Sequence, residues 1–273
     1  MPYFTTSDGV EIYYTDQGTG KPVILSHGWP LSSDAWQVEI KLLADAGYRA
    51  IAHDRRGHGR SSATYTGNDL DTYAKDLNEL VEFLDLHDLV VVGHSTGGGE
   101  AVRYAAQYGA GRVRKVFTAG AIPPVMVKSE SNPDGTPIEA FDEIRANVLK
   151  DRSQFWIELS EPFFGANVEG SNVSQGAKDD FWRQGMLANL AAVYDCVKAF
   201  SETDLTEDLK ALDVPIFIAH GSKDQIVPIA DAALKSIEIV KDGTLKVYEG
   251  APHGIYGDYQ KELDQDLLAF IAD

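Results

Sequence analysis

Residues 88–100 constrain the fold more than any other stretch of the chain. Three β-branched residues, Val90, Val91 and Val92, run into Gly93, His94 and Ser95, then Thr96, Gly97, Gly98 and Gly99. A second run follows at once: Glu100, Ala101, Val102, Arg103, Tyr104 and Ala105. The first run reads as a buried strand and the second as a helix. With so little chain between them, the backbone must turn sharply at Ser95. Gly93 and Gly97 remove the side chains that would collide where strand and helix nearly touch. The spacing Gly93-x-Ser95-x-Gly97 therefore places a serine hydroxyl on a corner, where it is available as a nucleophile.

The remainder of the chain repeats the same rhythm. Residues 10–15 alternate as a strand, broken by Gly18, Gly20 and Pro22. Val23, Ile24 and Leu25 form a buried strand that ends in His27, Gly28, Trp29 and Pro30. Ser33 and Asp34 can cap the helix carrying Trp36, Ile40 and Leu43. Residues 48–52 form a further strand, followed by a charged turn from His53 to Ser61. Leu77, Leu80, Val81 and Leu84 have the three-four spacing of an amphipathic helix over 70–84. Residues 113–121 give another strand, stopped by Pro123 and Pro124. The pattern resumes with a strand from Pro215, a helix over 229–237, a strand over 245–249 and a last helix with Leu263, Leu267 and Phe270 on one face. Alternating strands and helices joined by glycine-rich turns imply an α/β protein with a mostly parallel sheet covered on both faces.

Between residues 122 and 210 the rhythm changes to helical patterns rich in aromatics, among them Phe141, Phe155, Trp156, Phe163, Phe181, Trp182 and Phe200. Leu187, Leu190, Tyr194 and Val197 read as one apolar stripe. Most of these side chains serve packing, but an all-helical insertion over a sheet edge also roofs a pocket. The expected organisation is a core over 1–121, a helical cap over 122–210 and a second core part over 211–273. A chain of 273 residues accommodates one such domain with its insertion.

Bulk properties exclude several classes. The 24 basic against 42 acidic residues give a net charge of −18, which disfavours nucleic acid or an anionic membrane as partner. No stretch has the length of a membrane-spanning helix, and the polar start is not a signal peptide. The single cysteine, Cys196, excludes an internal disulfide, suits a cytoplasmic location and reads as a packed thiol. Gly20 and Lys21 do not make a phosphate loop, because Pro22 stands where Ser or Thr is needed. No His-Glu-x-x-His or cysteine cluster offers a metal site, so no metal or other cofactor is expected. Oligomeric state, including a homo-oligomer, stays open.

A serine hydroxyl needs a general base and a group that orients the base. The Ser95 corner resembles the nucleophile elbow of α/β-hydrolases, in which the chain order is serine, acid, histidine. Seven histidines compete. His94 is adjacent to Ser95 but points away from its side chain; His27, His53 and His220 follow strands; His58 and His87 sit in turns or near helix ends. His253 follows the last strand in a Pro-His-Gly loop that can reach the carboxyl edge of the sheet, and it is the expected base. Asp224, after the next-to-last strand, is the expected acid, while Asp54 reads as an arginine partner in its own turn. The developing oxyanion needs two amide donors, and those of Thr96 and Trp29 are placed for it. Pro30 keeps Trp29 out of the helical region.

Nearly the whole chain resembles the cofactor-free, non-haem haloperoxidase branch of the α/β-hydrolases, which includes perhydrolases and aryl esterases. The resemblance rests on Ser26 to Leu31, on the turn from Ile51 to Ser61, on Gly93 to Glu100, on Phe181 to Gly185, on Phe200 to Asp204, on Asp224 to Pro228 and on Ala251 to Gly254. It implies an α/β-hydrolase fold with a helical cap after the sixth strand, and a triad of Ser95, Asp224 and His253. It also implies an oxyanion hole of Trp29 and Thr96 and a substrate pocket touching Trp29, Thr96, Phe155 and Ile226. The implied chemistry is transfer of an acyl group from a small ester to Ser95. Water then gives hydrolysis, and hydrogen peroxide gives a peracid that oxidises halide away from the protein. Some relatives carry methionine where Thr96 stands, which leaves acyl specificity open, and some open lactams. A lactamase on the same triad and a ligand-binding receptor with vestigial catalysis remain alternatives. Epoxide or haloalkane opening is disfavoured, because those relatives have aspartate where Ser95 stands.

Overall fold

The computed structural model describes residues 2–255 and 257–272, and at Asp258 the backbone alone. Strands β1 (Tyr3–Thr5), β2 (Glu11–Gln17) and β3 (Pro22–Ser26) lead through a single 3₁₀ turn into helix α1 (Gln37–Asp45). Then follow β4 (Arg49–His53), α2 (Leu70–Phe83), β5 (Leu89–His94), α3 (Thr96–Gln107) and β6 (Val113–Ala119). Four consecutive helices come next: α4 (Ile138–Phe164), α5 (Gln175–Leu187), α6 (Leu190–Glu202) and α7 (Thr206–Ala211). The chain returns through β7 (Ile216–Gly221), α8 (Ala233–Ile239), β8 (Gly243–Tyr248) and α9 (Asp258–Ile271).

The strands form one sheet in the order β1-β2-β4-β3-β5-β6-β7-β8. β1 and β2 pair antiparallel, as do β2 and β4, and every later pairing is parallel. Because parallel strands are covered on both faces, they read as continuous apolar runs and not as alternation. Val91 sits in one core with Leu77, Leu80 and Val81 of α2 and Val102 of α3. Its neighbours Val90 and Val92 sit in the opposite core with Ile40 and Leu43 of α1 and Leu263 and Leu267 of α9. This is the pleat alternation of a strand buried on both sides. Helix α2 starts at Asp69, whose carboxylate accepts from Thr72 N at 2.9 Å.

The strand order reverses direction between β3 and β5, so their carboxyl ends open a crevice at the switch point of the sheet. His27 follows β3 and Ser95 follows β5, which brings both to that crevice. The helical cap follows β6, the sixth strand, as the sequence implies. A third apolar cluster joins Trp29 and Leu31 of the core to Phe141, Trp156, Phe181, Val193 and Phe200 of these helices.

Several local details differ from the sequence reading. β6 ends at Ala119 and not at 121, because Gly120 turns the chain at φ 52°. The short β1, which the residue pattern does not signal, adds an edge to β2. The helix expected over 229–237 forms four residues later at its start, as α8. Leu187 and Leu190 do not continue one stripe: α5 ends at Leu187, and Asn189 caps the new helix α6 by accepting from Ala191 N and Ala192 N. Both leucines are exposed as a result, 52% and 42%. Helix α4 is two helices joined at Asp151, which has extended backbone, and Asp151 Oδ1 restarts the second part by accepting from Gln154 N.

Candidate active site

Ser95 sits at φ 54° and ψ −122°, between the end of β5 and the first turn of α3. A positive φ on a non-glycine residue costs on the order of 1–3 kcal/mol and persists only where surrounding contacts dictate it. Here Ser95 N donates to Ala119 O on β6, and Ser95 O accepts from Gly98 N. The glycines allow the close approach: a Cβ on Gly97 would lie 2.1 Å from Ser26 O, and one on Gly93 would lie 2.2 Å from Gly97 O.

The loop after β8 brings His253 to the same edge. Its Nδ1 lies 2.7 Å from Asp224 Oδ2, while its Nε2 is buried and has no hydrogen-bond partner among the described residues. Asp224 is fixed in turn, its Oδ1 accepting from the amides of Ile226 and Val227 at 2.9 and 2.8 Å. His220 Nε2 adds a contact to Oδ2 at 3.2 Å and to Val227 O at 2.9 Å. Burial opposes ionisation of Asp224, but the neighbouring His253 and His220 outweigh it and hold the carboxyl well below its ordinary range. An ionised Asp224 keeps the His253 proton on Nδ1 and leaves Nε2 as the free basic nitrogen.

His94 holds the His253 loop from behind. Its ring packs on His253 at 4.8 Å, and Nε2–H donates to the His253 carbonyl at 3.1 Å. Burial pushes its pKa down to about 3, so the donor is a neutral ring. Phe163 stands edge-on to His253 at 5.0 Å, and its carbonyl accepts from Gly254 N at 2.7 Å. Neither His94 nor His220 is singled out by the sequence, since neither has a motif or spacing that reveals a supporting role.

Trp29 and Thr96 flank the Ser95 corner, one in the turn after β3 and one at the first position of α3. The adjoining turns use other amides: Leu31 N donates to Gly28 O and Gly98 N to Ser95 O. The Thr96 amide also sits at the positive end of a twelve-residue helix, which favours an anion there. The Trp29 side chain packs as well, donating from Nε1 to Val193 O at 2.9 Å on α6 and meeting Trp156 and Phe200 at 5.0 and 5.2 Å. Of the other expected pocket residues, Ile226 is half-buried next to Asp224, whereas Phe155 packs on Trp156 at 5.1 Å. Trp156 is fully buried and packs edge-on against Trp29 at 5.0 Å. Helical residues at adjacent positions diverge by about 100°, and the sequence pattern does not say which of the two turns inward.

The remaining candidates have structural partners. Asp54 accepts from Ser33 and Arg60 and so closes the turn from His53 to Ser61. His58 is buried, with its pKa pushed down to about 4. Cys196 is buried, and its thiol is raised to about 11 by that burial. No helix among the described residues is long and apolar enough to cross a membrane.

Comparison with known proteins agrees with this geometry. Residues 21–258 match the family model described as the alpha/beta hydrolase fold. A non-heme chloroperoxidase of Streptomyces lividans is 54% identical, over 99% of both chains. A bifunctional esterase/perhydrolase of Acinetobacter calcoaceticus is 48% identical, again over 99% of both. The crystal structure of a bromoperoxidase from Bacillus anthracis superposes with a TM-score of 0.93 at 39% identity, covering 97% of this chain and 96% of that one. With an elbow serine, a buried acid–histidine pair and relatives of this kind along its whole length, the chain belongs to the α/β-hydrolase family, in its non-haem haloperoxidase and perhydrolase branch.

Proposed function

We propose that this protein is a serine esterase for small carboxylic esters with perhydrolase activity, working through an acyl-enzyme on Ser95. The observation that carries the reading is the His253–Asp224 contact of 2.7 Å, which leaves His253 Nε2 buried without a hydrogen-bond partner among the described residues, in a loop held at 3.1 Å by His94, the residue before the strained serine. Ser95 Oγ attacks the ester carbonyl while His253 Nε2 takes its proton. The amides of Trp29 and Thr96 hold the oxyanion, and the alcohol leaves with the proton from His253. Water then adds to the acyl-enzyme with His253 again as base and releases the acid. Hydrogen peroxide in place of water releases a peracid, which oxidises halide in solution. Trp29, Thr96, Trp156, Phe155 and Ile226 shape the acyl side of the pocket, with residues 122–210 as its cap. The protein acts on small molecules, in the cytoplasm.

Turnover of p-nitrophenyl acetate, and bromide oxidation with peroxide and acetate, test the reading together. Ser95→Ala is expected to lower both by roughly four orders of magnitude, because one catalytic serine serves both. A variant that keeps its esterase activity sinks the proposal. Bromide oxidation that survives after ester turnover is lost sinks the perhydrolase part.

A further inference from the structure

Behind the oxyanion loop lies a buried charged cluster that the acyl chemistry does not use. Arg55, at 1% exposure, and Glu100, at 0%, pair through Arg55 Nε and Nη2 to Glu100 Oε2 at 2.8 and 2.6 Å. Glu100 Oε1 is held by His53 Nε2 at 2.9 Å. Arg55 also makes two contacts to His27. Its Nη2 donates to His27 O at 2.7 Å, and its backbone amide donates to His27 Nε2 at 3.0 Å.

These contacts set the direction of a catalytic amide. Because His27 Nε2 accepts from the Arg55 amide, the proton of the neutral ring is on Nδ1, which donates to Gly28 O at 2.8 Å. Burial keeps that ring neutral. Gly28 O accepts from Leu31 N as well. The Gly28–Trp29 peptide is planar and trans, so the Trp29 N–H points opposite to the carbonyl that these two donors hold. Gly28 itself lies against the elbow: a Cβ there would be 3.1 Å from Ser95 Cβ. Glu100 is on α3, five residues beyond the nucleophile, so the same ion pair ties the oxyanion loop to the helix that carries the Thr96 amide.

We propose that Arg55 and Glu100 are positioning residues which, through His27, lock the Gly28–Trp29 peptide so that the Trp29 N–H faces the acyl oxygen on Ser95. The inference rests on the acyl-transfer reading above. A buried ion pair is weak evidence for stability in itself, because desolvation offsets much of the attraction. The contacts to His27 give this one a use beyond stability.

The test compares the parent with Arg55→Met combined with Glu100→Gln, which removes both charges together, and with Arg55→Lys. Two readouts are needed: kcat and KM for p-nitrophenyl acetate, and the Kd of phenylboronic acid, whose tetrahedral serine adduct places an oxygen in the oxyanion hole. The double variant, folded by circular dichroism, is expected to lose about 10- to 100-fold in kcat with KM nearly unchanged. That is less than the 10²–10³ of outright donor loss, as befits a misdirected amide. Its boronate affinity should fall in step, and Arg55→Lys should recover part of both. A folded double variant with parental kcat and boronate affinity overturns the proposal, as does a loss of kcat with boronate affinity retained. If the double variant does not fold, Glu100→Gln alone decides on the same readouts, with a loss of a few-fold in both expected and unchanged boronate affinity overturning the idea. A parent without ester turnover would defeat the esterase reading alone, since the boronate comparison still tests the lock.

Discussion

At the residue scale, the groups around Ser95 are held by backbone and side-chain partners together. Asp224 is oriented by two amides, His253 by the ring and proton of His94, and Ser95 by the carbonyl of Ala119. Asp224→Asn keeps these amide contacts but allows the wrong His253 tautomer, and kcat should fall about 10⁴-fold at unchanged fold. Stopped assays beside circular dichroism spectra check it, and a loss under ten-fold would contradict the assigned role. Gly97→Ala is expected to fail differently. Its Cβ would lie 2.1 Å from Ser26 O, backbone that cannot give way, so soluble expression and thermal stability should drop, not only activity.

At the scale of elements, the cap and the core meet through Trp29, which bonds to α6 and packs on Trp156 of α4. Trp156→Ala would remove a fully buried ring and cost about 3–5 kcal/mol of stability. It should also enlarge the acyl wall. The ratio of kcat/KM for p-nitrophenyl butyrate over acetate is expected to rise about ten-fold, the order set by one or two methylenes in an apolar pocket. A ratio that stays at the parental value would remove Trp156 from the pocket wall. This side chain also marks a limit of periodicity. The aromatic density of 122–210 reveals helices, yet the full burial of Trp156 against Trp29 beside a half-buried Phe155 depends on how α4 is rotated against the core.

At the scale of the whole molecule, acidity leaves its mark in the interior. Glu39 on α1 is 4% exposed, accepts one bond from Gln260 on α9, and has no partner for Oε2 among the described residues. Burial raises its pKa from 4.5 to about 7, and Asp264 nearby, itself raised to about 6 by burial, adds like charge. The folded state therefore keeps a proton on Glu39 that the unfolded chain releases near pH 4.5. Stability contributed by that proton is present below pH 4.5 and is lost as pH rises towards and through 7. The separation corresponds to roughly 3 kcal/mol. Glu39→Gln should match the parent near pH 4.5 and exceed it by up to this amount at pH 8, read from urea midpoints at the two pH values. Equal midpoints at pH 8 would show that Glu39 ionises without cost.

The residue order was enough to identify the elbow, the parallel sheet and the triad candidates. Their signals are local: a β-branched run cut by Gly93, and an acid and a histidine placed after the last two strands. The same holds for Asp54 as a partner of Arg60, six residues away. Tertiary structure decided what depends on rotation and long-range approach. His94 and His220 gained supporting roles because loops 159 and 7 residues away supply the carbonyls they meet. Arg55 reaches His27 across 28 positions and Glu100 across 45, contacts between the turns after β4 and β3 and helix α3 that no spacing along the chain encodes. Periodicity records which residues leave water, whereas the direction in which a buried group points is fixed only when the strands and helices around it are assembled.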